Sequence, residues 1–175
     1  GRPKHIWNQI QPGYWLDDFG TVWDRTQDKD IGLPVEPIVA PANIHEFELP
    51  DVDDLERYKG FQKSIDAATD SFVVVNFSMS LWERAYILAG MENLMMAIVT
   101  NDVFANTLLD KLLEWNLKAI DKFCSFNIDA ILFGDDFGHQ YGLLLGQELW
   151  RKYLKPRIAQ MYNVTKSRGR HVFIH

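Results

Sequence analysis

Two carboxylates stand side by side where an apolar run stops. The stretch DAILFGDDFGHQ (residues 129–140) ends its run at Gly134, then places Asp135 and Asp136, and adds His139 and Gln140 shortly after. Carboxylates and an imidazole can hold or move a proton near neutral pH, and an amide can orient a ligand. Neighbouring residues on a strand point opposite ways. One acid of the pair would therefore aim at a ligand while the other meets an adjacent loop or helix. A solvated turn acid beside a loop-capping acid accounts for the same letters. The pair stands as the catalytic candidate because FGHQYG follows without a helical pattern. His139 taken alone fits a surface or packing role.

Two other apolar runs end in polar residues. NFSMS (residues 76–80) offers Phe77 and Ser78, and HVFIH (residues 171–175) ends on His175. Zinc takes three or four ligands, and the remaining histidines have no helpful spacing, so His175 alone makes no metal site. Tyr86 lies on a predicted helix just after NFSMS, where packing is the simpler role. Cys124, between aromatic residues in a helical pattern, reads as a core thiol. Neither a serine nucleophile elbow nor a His-Glu-x-x-His pattern occurs.

These groups need elements to position them. SFVVVNF, IDAILFG and RHVFIH are apolar, β-branched and aromatic runs, predicted as strands buried on both faces. Between them lie helical stretches. SLWERAYILAGMENLMMAIVTN breaks near Gly90. DVFANTLLDKLLEWNLKAIDKFCSFN carries Leu109, Leu113, Leu117, Ile120 and Cys124 on its inner face. GQELWRKYLKPRIAQMYNVTKSRG is interrupted by Pro156 and ended by Gly169. A further helix is predicted after Pro50, with Leu55, Tyr58, Phe61, Ile65 and Ala68 in period. Strands joined by long helical crossovers are parallel and give an α/β fold, either an open doubly wound sheet or a barrel. In both, ligands bind at the C-terminal strand ends, so the three polar clusters share one mouth. No glycine-rich phosphate loop follows the first strand, which weighs against a dinucleotide fold.

Residues 1–50 differ, with six of the seven prolines and little helical period. YWLDDFGTVWDR predicts two short extended pieces about a bend at Asp18 to Gly20. Its aromatics suit a lid or a subunit contact, hence a homodimer. A net charge of −6 argues against nucleic acid or an anionic membrane surface as partner. The single cysteine rules out an internal disulfide and suits a cytoplasmic setting. No apolar run is long enough to span a membrane, and GRPKHIWNQI lacks a leader's apolar segment. The chain opens without Met and stops at the end of a strand, so an internal fragment is expected.

Several stretches, in order, resemble the uroporphyrinogen decarboxylase superfamily, which also contains cobalamin-dependent methyltransferases. They are DDFGTVWDRT with DIGLPVEPIV, NFSMSLWERAYILAGMENLMMAI, LLDKLLEWNLKAIDKF, ILFGDDFGHQYGLLLGQELWRKYLKPRI and GRHVFIH. The resemblance implies a partial (β/α)8 TIM barrel with an irregular N-terminal excursion. Residues 1–50 would be an insertion packed on the barrel. Residues 51–175 would be its central βα units, truncated at both ends.

The resemblance also implies substrate-binding residues. Tyr86 matches a cleft tyrosine, and Phe77, Ser78 and Trp82 lie on the segment that borders the cleft. His139 and Gln140 follow the acidic pair. Asp135 falls where the decarboxylases keep a hydroxyl residue near a propionate, a departure that sets porphyrinogen in doubt. His175 matches the first residue of a His-x-Cys zinc pair whose cysteine is not in this sequence. A zinc- and corrinoid-dependent methyltransferase or demethylase is the reading this favours, with the corrinoid brought by a partner protein and a small-molecule methyl donor. Cofactor-free decarboxylation of uroporphyrinogen in tetrapyrrole biosynthesis is the alternative, and an inactive fragment is a third.

Overall fold

A computed structural model describes residues 7–175. Residues 1–6, part of the segment expected to lack an apolar leader, lie outside the described residues. The chain begins with an antiparallel meander of four short strands in sequential order: β1 (Asn8–Gln11), β2 (Tyr14–Leu16), β3 (Val22–Asp24) and β4 (Leu33–Pro34). The two extended pieces predicted around Asp18 are β2 and β3, with Trp15 opposite Trp23. Asp17 makes the bend between them. Its carboxylate accepts the backbone N–H of Phe19 and Thr21 and the indole N–H of Trp23.

Residues 35–60 run along the helices without regular structure until a 3-10 turn at Leu55–Tyr58. The single helix predicted after Pro50 is split here. Gly60 takes a φ of 77°, and α1 covers only Phe61–Asp66. Leu55 is exposed, whereas Tyr58, Phe61 and Ile65 reach the core. The apolar period holds for burial only at Tyr58, Phe61 and Ile65 and fails on continuity, because a left-handed glycine breaks the hydrogen-bond ladder.

The main unit is a sheet of three parallel strands in chain order, β5 (Val74–Ser78), β6 (Ala130–Gly134) and β9 (His171–Ile174). Between β5 and β6 run α2 (Trp82–Ala89), α3 (Met91–Thr100) and α4 (Asp102–Cys124). The expected break lies at Gly90, with a φ of 82°, where a side chain would also strike Pro37. Asn101 caps α4 through the Phe104 N–H. The β6–β9 crossover holds a small hairpin, β7 (Gly138–His139) with β8 (Gly142–Leu143), then α5 (Gly146–Leu149), a π-helical turn at Trp150–Leu154, and α6 (Lys155–Ser167). Pro156 sits at the start of α6, and Gly169 follows its end at a φ of 71°.

The architecture is α/β, and the sheet formed by the described residues is open. Only one face of it is packed. Val75, Phe77, Ile131 and Phe133 bury against the helices, whereas Asn76, Ser78, Leu132 and Gly134 on the other face are partly exposed. The expectation of strands buried on both faces is therefore corrected, because no helix among the described residues packs on the second face. The inner stripe of α4 is also shifted. Leu108, Leu109, Leu112, Ala119 and Ile120 are fully buried, while Leu117 and Cys124 lie at its margin. No helix among the described residues is long and apolar enough to cross a membrane.

The meander is fixed to this unit by two buried ion pairs. Arg84 on α2 bonds Asp17 at 2.9 Å, and Arg57 on the 3-10 turn lies 2.6 Å from Asp18. The guanidinium of Arg84 also covers the Phe19 ring, 3.9 Å from its centroid, and that of Arg57 lies over Trp115. Removing one partner of a buried pair strands the other charge. Asp17→Ala is expected to lower the unfolding free energy by about 3–5 kcal/mol, measured by urea denaturation. A loss below about 1 kcal/mol would show that the pair does not hold the meander.

Candidate functional site

The C-terminal ends of β5, β6 and β9 meet the underside of the meander around a cavity of about 400 Å³. Strand alternation puts Asn76 and Ser78 on its floor, since both lie on the open face of the sheet. The Ser78 hydroxyl donates a short hydrogen bond to the Asn76 side-chain oxygen. Gly134 lies opposite Ser78, and a side chain there would come within 3.1 Å of the serine oxygen. Met79 leaves β5 at a φ of 52°, uncommon for a residue with a side chain, and also lines the cavity. The walls are aromatic, from Trp7, Trp23, Trp115, Phe77 and Phe123.

The acidic pair divides by direction. Asp135 is buried and bound to the start of α2. It accepts the Ser80 hydroxyl at 2.5 Å and the N–H groups of Leu81 at 3.0 Å and Glu83 at 2.9 Å. Burial raises its proton affinity above the ordinary aspartate range, against the opposing pull of Ser80, Glu83 and Leu81. Asp136 faces the cavity and lies 3.1 Å from the Nδ1 of His175. One carboxylate thus organises a helix terminus and the other orients an imidazole.

The other candidates are distributed unevenly. Phe77, Ser78 and His175 line the cavity. Trp82 is fully buried and packs edge-on against Tyr86 rather than lining the cavity. Tyr86 is half-buried and donates its hydroxyl to Glu83 at 3.3 Å. His139 and Gln140 are exposed on the β7–β8 hairpin, where His139 Nδ1 accepts the Tyr141 N–H, and neither borders the cavity.

Sequence reasoning missed Glu83. It lines the cavity one helical turn before Tyr86, and this i, i+3 spacing was the available signal. Burial first, then the charges of Asp135 and Asp136, push its carboxyl up to about 7. The Tyr86 hydroxyl is raised in turn by burial and by Glu83. Also missed were Arg25 after β3, Arg57 on the 3-10 turn and Arg84 on α2, which border the cavity. The roles of Arg57 and Arg84 depend on contacts distant in sequence, with Asp18 and Asp17.

Zinc does not fit the residues at hand. His175 and Asp136 supply an imidazole and a carboxylate, but the described residues contain no group of three His, Cys, Asp or Glu side chains placed to hold a metal ion. Cys124 lies at the margin of the core, its thiol pushed up by burial.

The division of the acidic pair has a direct test. Asp135→Ala leaves the Ser80 hydroxyl and two backbone donors without their acceptor and should cost about 1–3 kcal/mol. Asp136→Ala is expected to change stability by no more than about 0.5 kcal/mol. Equal losses in thermal or urea unfolding would contradict the assignment.

The family model for uroporphyrinogen decarboxylase (URO-D) matches residues 19–175 of the chain. No curated protein matches it.

Proposed function

Because the chain belongs to the uroporphyrinogen decarboxylase family, we propose that it serves methyl transfer, with β5, β6 and β9 forming an arc of a (β/α)8 barrel. Three strands adjacent in chain order, with helices on one face and a cavity at their C-terminal ends, are what such an arc provides.

The distribution of charge around the cavity carries the choice of reaction. A porphyrinogen bears several carboxylates and calls for free guanidinium groups. Here Arg84 and Arg57 are matched to Asp17 and Asp18, and Arg25 donates to the carbonyls of Ile31 and Asp30. The strand-end rim instead presents Asp136, whose charge repels carboxylates, beside the Glu83 carboxyl, whose proton affinity is raised. A neutral or cationic methyl donor suits this rim, and the indole walls suit its apolar part.

In this reading a corrinoid carried by a partner protein supplies the methyl acceptor. The chain's own residues bind and orient the donor. Asp136 fixes the ring of His175 through Nδ1 and leaves Nε2 for the ligand. Ser78 and Asn76 offer hydrogen bonds from the floor. The indoles exclude water.

The full polypeptide that carries this sequence tests the proposal. It is mixed with a reduced corrinoid protein and a panel of methyl ethers, methylamines and methyl sulfides, and the corrinoid's visible spectrum is followed. Methylation with at least one donor is expected, with uroporphyrinogen returned unchanged. His175→Ala should slow the transfer by about 100-fold or more. Release of CO2 from uroporphyrinogen with no corrinoid methylation would replace this reading with decarboxylation.

A further inference from the structure

Glu83 is a half-buried carboxyl that faces like charges. It lies in the first turn of α2, where acids often serve the helix terminus. Asp135 already fills that role by accepting the N–H groups of Leu81 and Glu83. The Glu83 side chain is therefore free of capping duty and borders the cavity instead. Its carboxylate accepts the Tyr86 hydroxyl at 3.3 Å, and the Met79 backbone N–H also favours its charged form.

The charged surroundings are lopsided. From the end of β6, Asp135 and Asp136 both act on Glu83 with like charge. From the end of β9, His175 is engaged by Asp136. On α2 itself, Arg84 is turned away to Asp17. Across the cavity, Arg57 is matched to Asp18, and Arg25 is bonded to backbone carbonyls. Half-buried among acids, the carboxyl keeps its proton into the neutral range.

We propose that Glu83 is a catalytic residue that donates its proton to the heteroatom from which the methyl group departs, with Tyr86 as its positioning partner. This rests on the methyl-transfer reading. The bond between methyl carbon and heteroatom breaks, and its electron pair stays on the heteroatom. The Glu83 proton moves to that atom, leaving a carboxylate that is reprotonated from solvent. The carbon takes its new electron pair from the acceptor, a reduced corrinoid. The ligand class implied is one that presents a hydrogen-bond-accepting oxygen, nitrogen or sulfur to Glu83 and an apolar body to the indoles.

Pyridine N-oxide is a suitable probe, with an aromatic ring for the walls and an acceptor oxygen that does not titrate near neutrality. Its binding is followed by tryptophan fluorescence between pH 6 and pH 8. The donor is present below the Glu83 pKa and lost above it, so affinity should fall about tenfold across that window in the wild type. Glu83→Gln, whose amide donates at every pH, should bind with little pH dependence. Tyr86→Phe should shift the midpoint of the pH profile. In a 13C-glutamate NMR titration, the carboxyl resonance missing from Glu83→Gln should titrate near pH 7 in the wild type.

Absence of saturable binding, an undiminished pH dependence in Glu83→Gln, or a Glu83 resonance that titrates like an ordinary glutamate would each overturn the proposal. None of these assays involves methyl transfer. A protein that methylates no corrinoid yet shows the expected profiles would sink the functional reading and leave the proton-donating carboxyl standing. The reverse result would sink the carboxyl alone.

Discussion

The buried pair between Arg84 and Asp17 is the constraint on which the cavity depends. Two charges removed from water are tolerable only when they face each other and the remaining polar atoms find partners. Asp17 meets that condition fully, since it also accepts the N–H groups of Phe19, Thr21 and Trp23. One carboxylate therefore shapes the β2–β3 bend and anchors it to α2. Without it, the short strands of the meander have little reason to lie over the sheet. The roof of the cavity, with Trp23 and Arg25, would be lost with them.

The same device appears twice. Asp17–Asp18 and Asp135–Asp136 are adjacent acids whose side chains diverge, the first pair at a turn and the second just past the end of β6. Asp17 and Asp18 meet separate arginines on separate elements. Asp135 turns inward to the start of α2, and Asp136 turns to His175. In each pair one acid makes the architecture around the other. Their combined effect is an uneven distribution of charge, in which the arginines bordering the cavity are already engaged and acids stand at the strand ends.

That asymmetry links structure to chemistry. Burial first, and then the acids that crowd it, raise the proton affinity of Glu83 and place it in the range where proton exchange near neutrality is efficient. The excess of carboxylates where the sheet ends adds to the effect of burial.

Much of the fold was legible in residue patterns. The three strands, the break at Gly90, the long α4 and the interruption at Pro156 all follow from apolar runs and from the backbone limits of glycine and proline. These are local properties, so the sequence by itself determined them, along with the rule that only one of Asp135 and Asp136 could face a ligand. Local patterns could not show that Gly60 would split the helix after Pro50, or that one sheet face would stay open. Nor could they show that Trp82 would sink into the core, or that His139 and Gln140 would sit on an exposed hairpin. Tertiary structure alone decided which acid turned inward, and alone joined Asp136 to His175 and Arg84 to Asp17 across 39 and 67 residues of chain. Contacts at that separation depend on how strands and helices pack, and packing is a property of the whole chain rather than of any stretch within it.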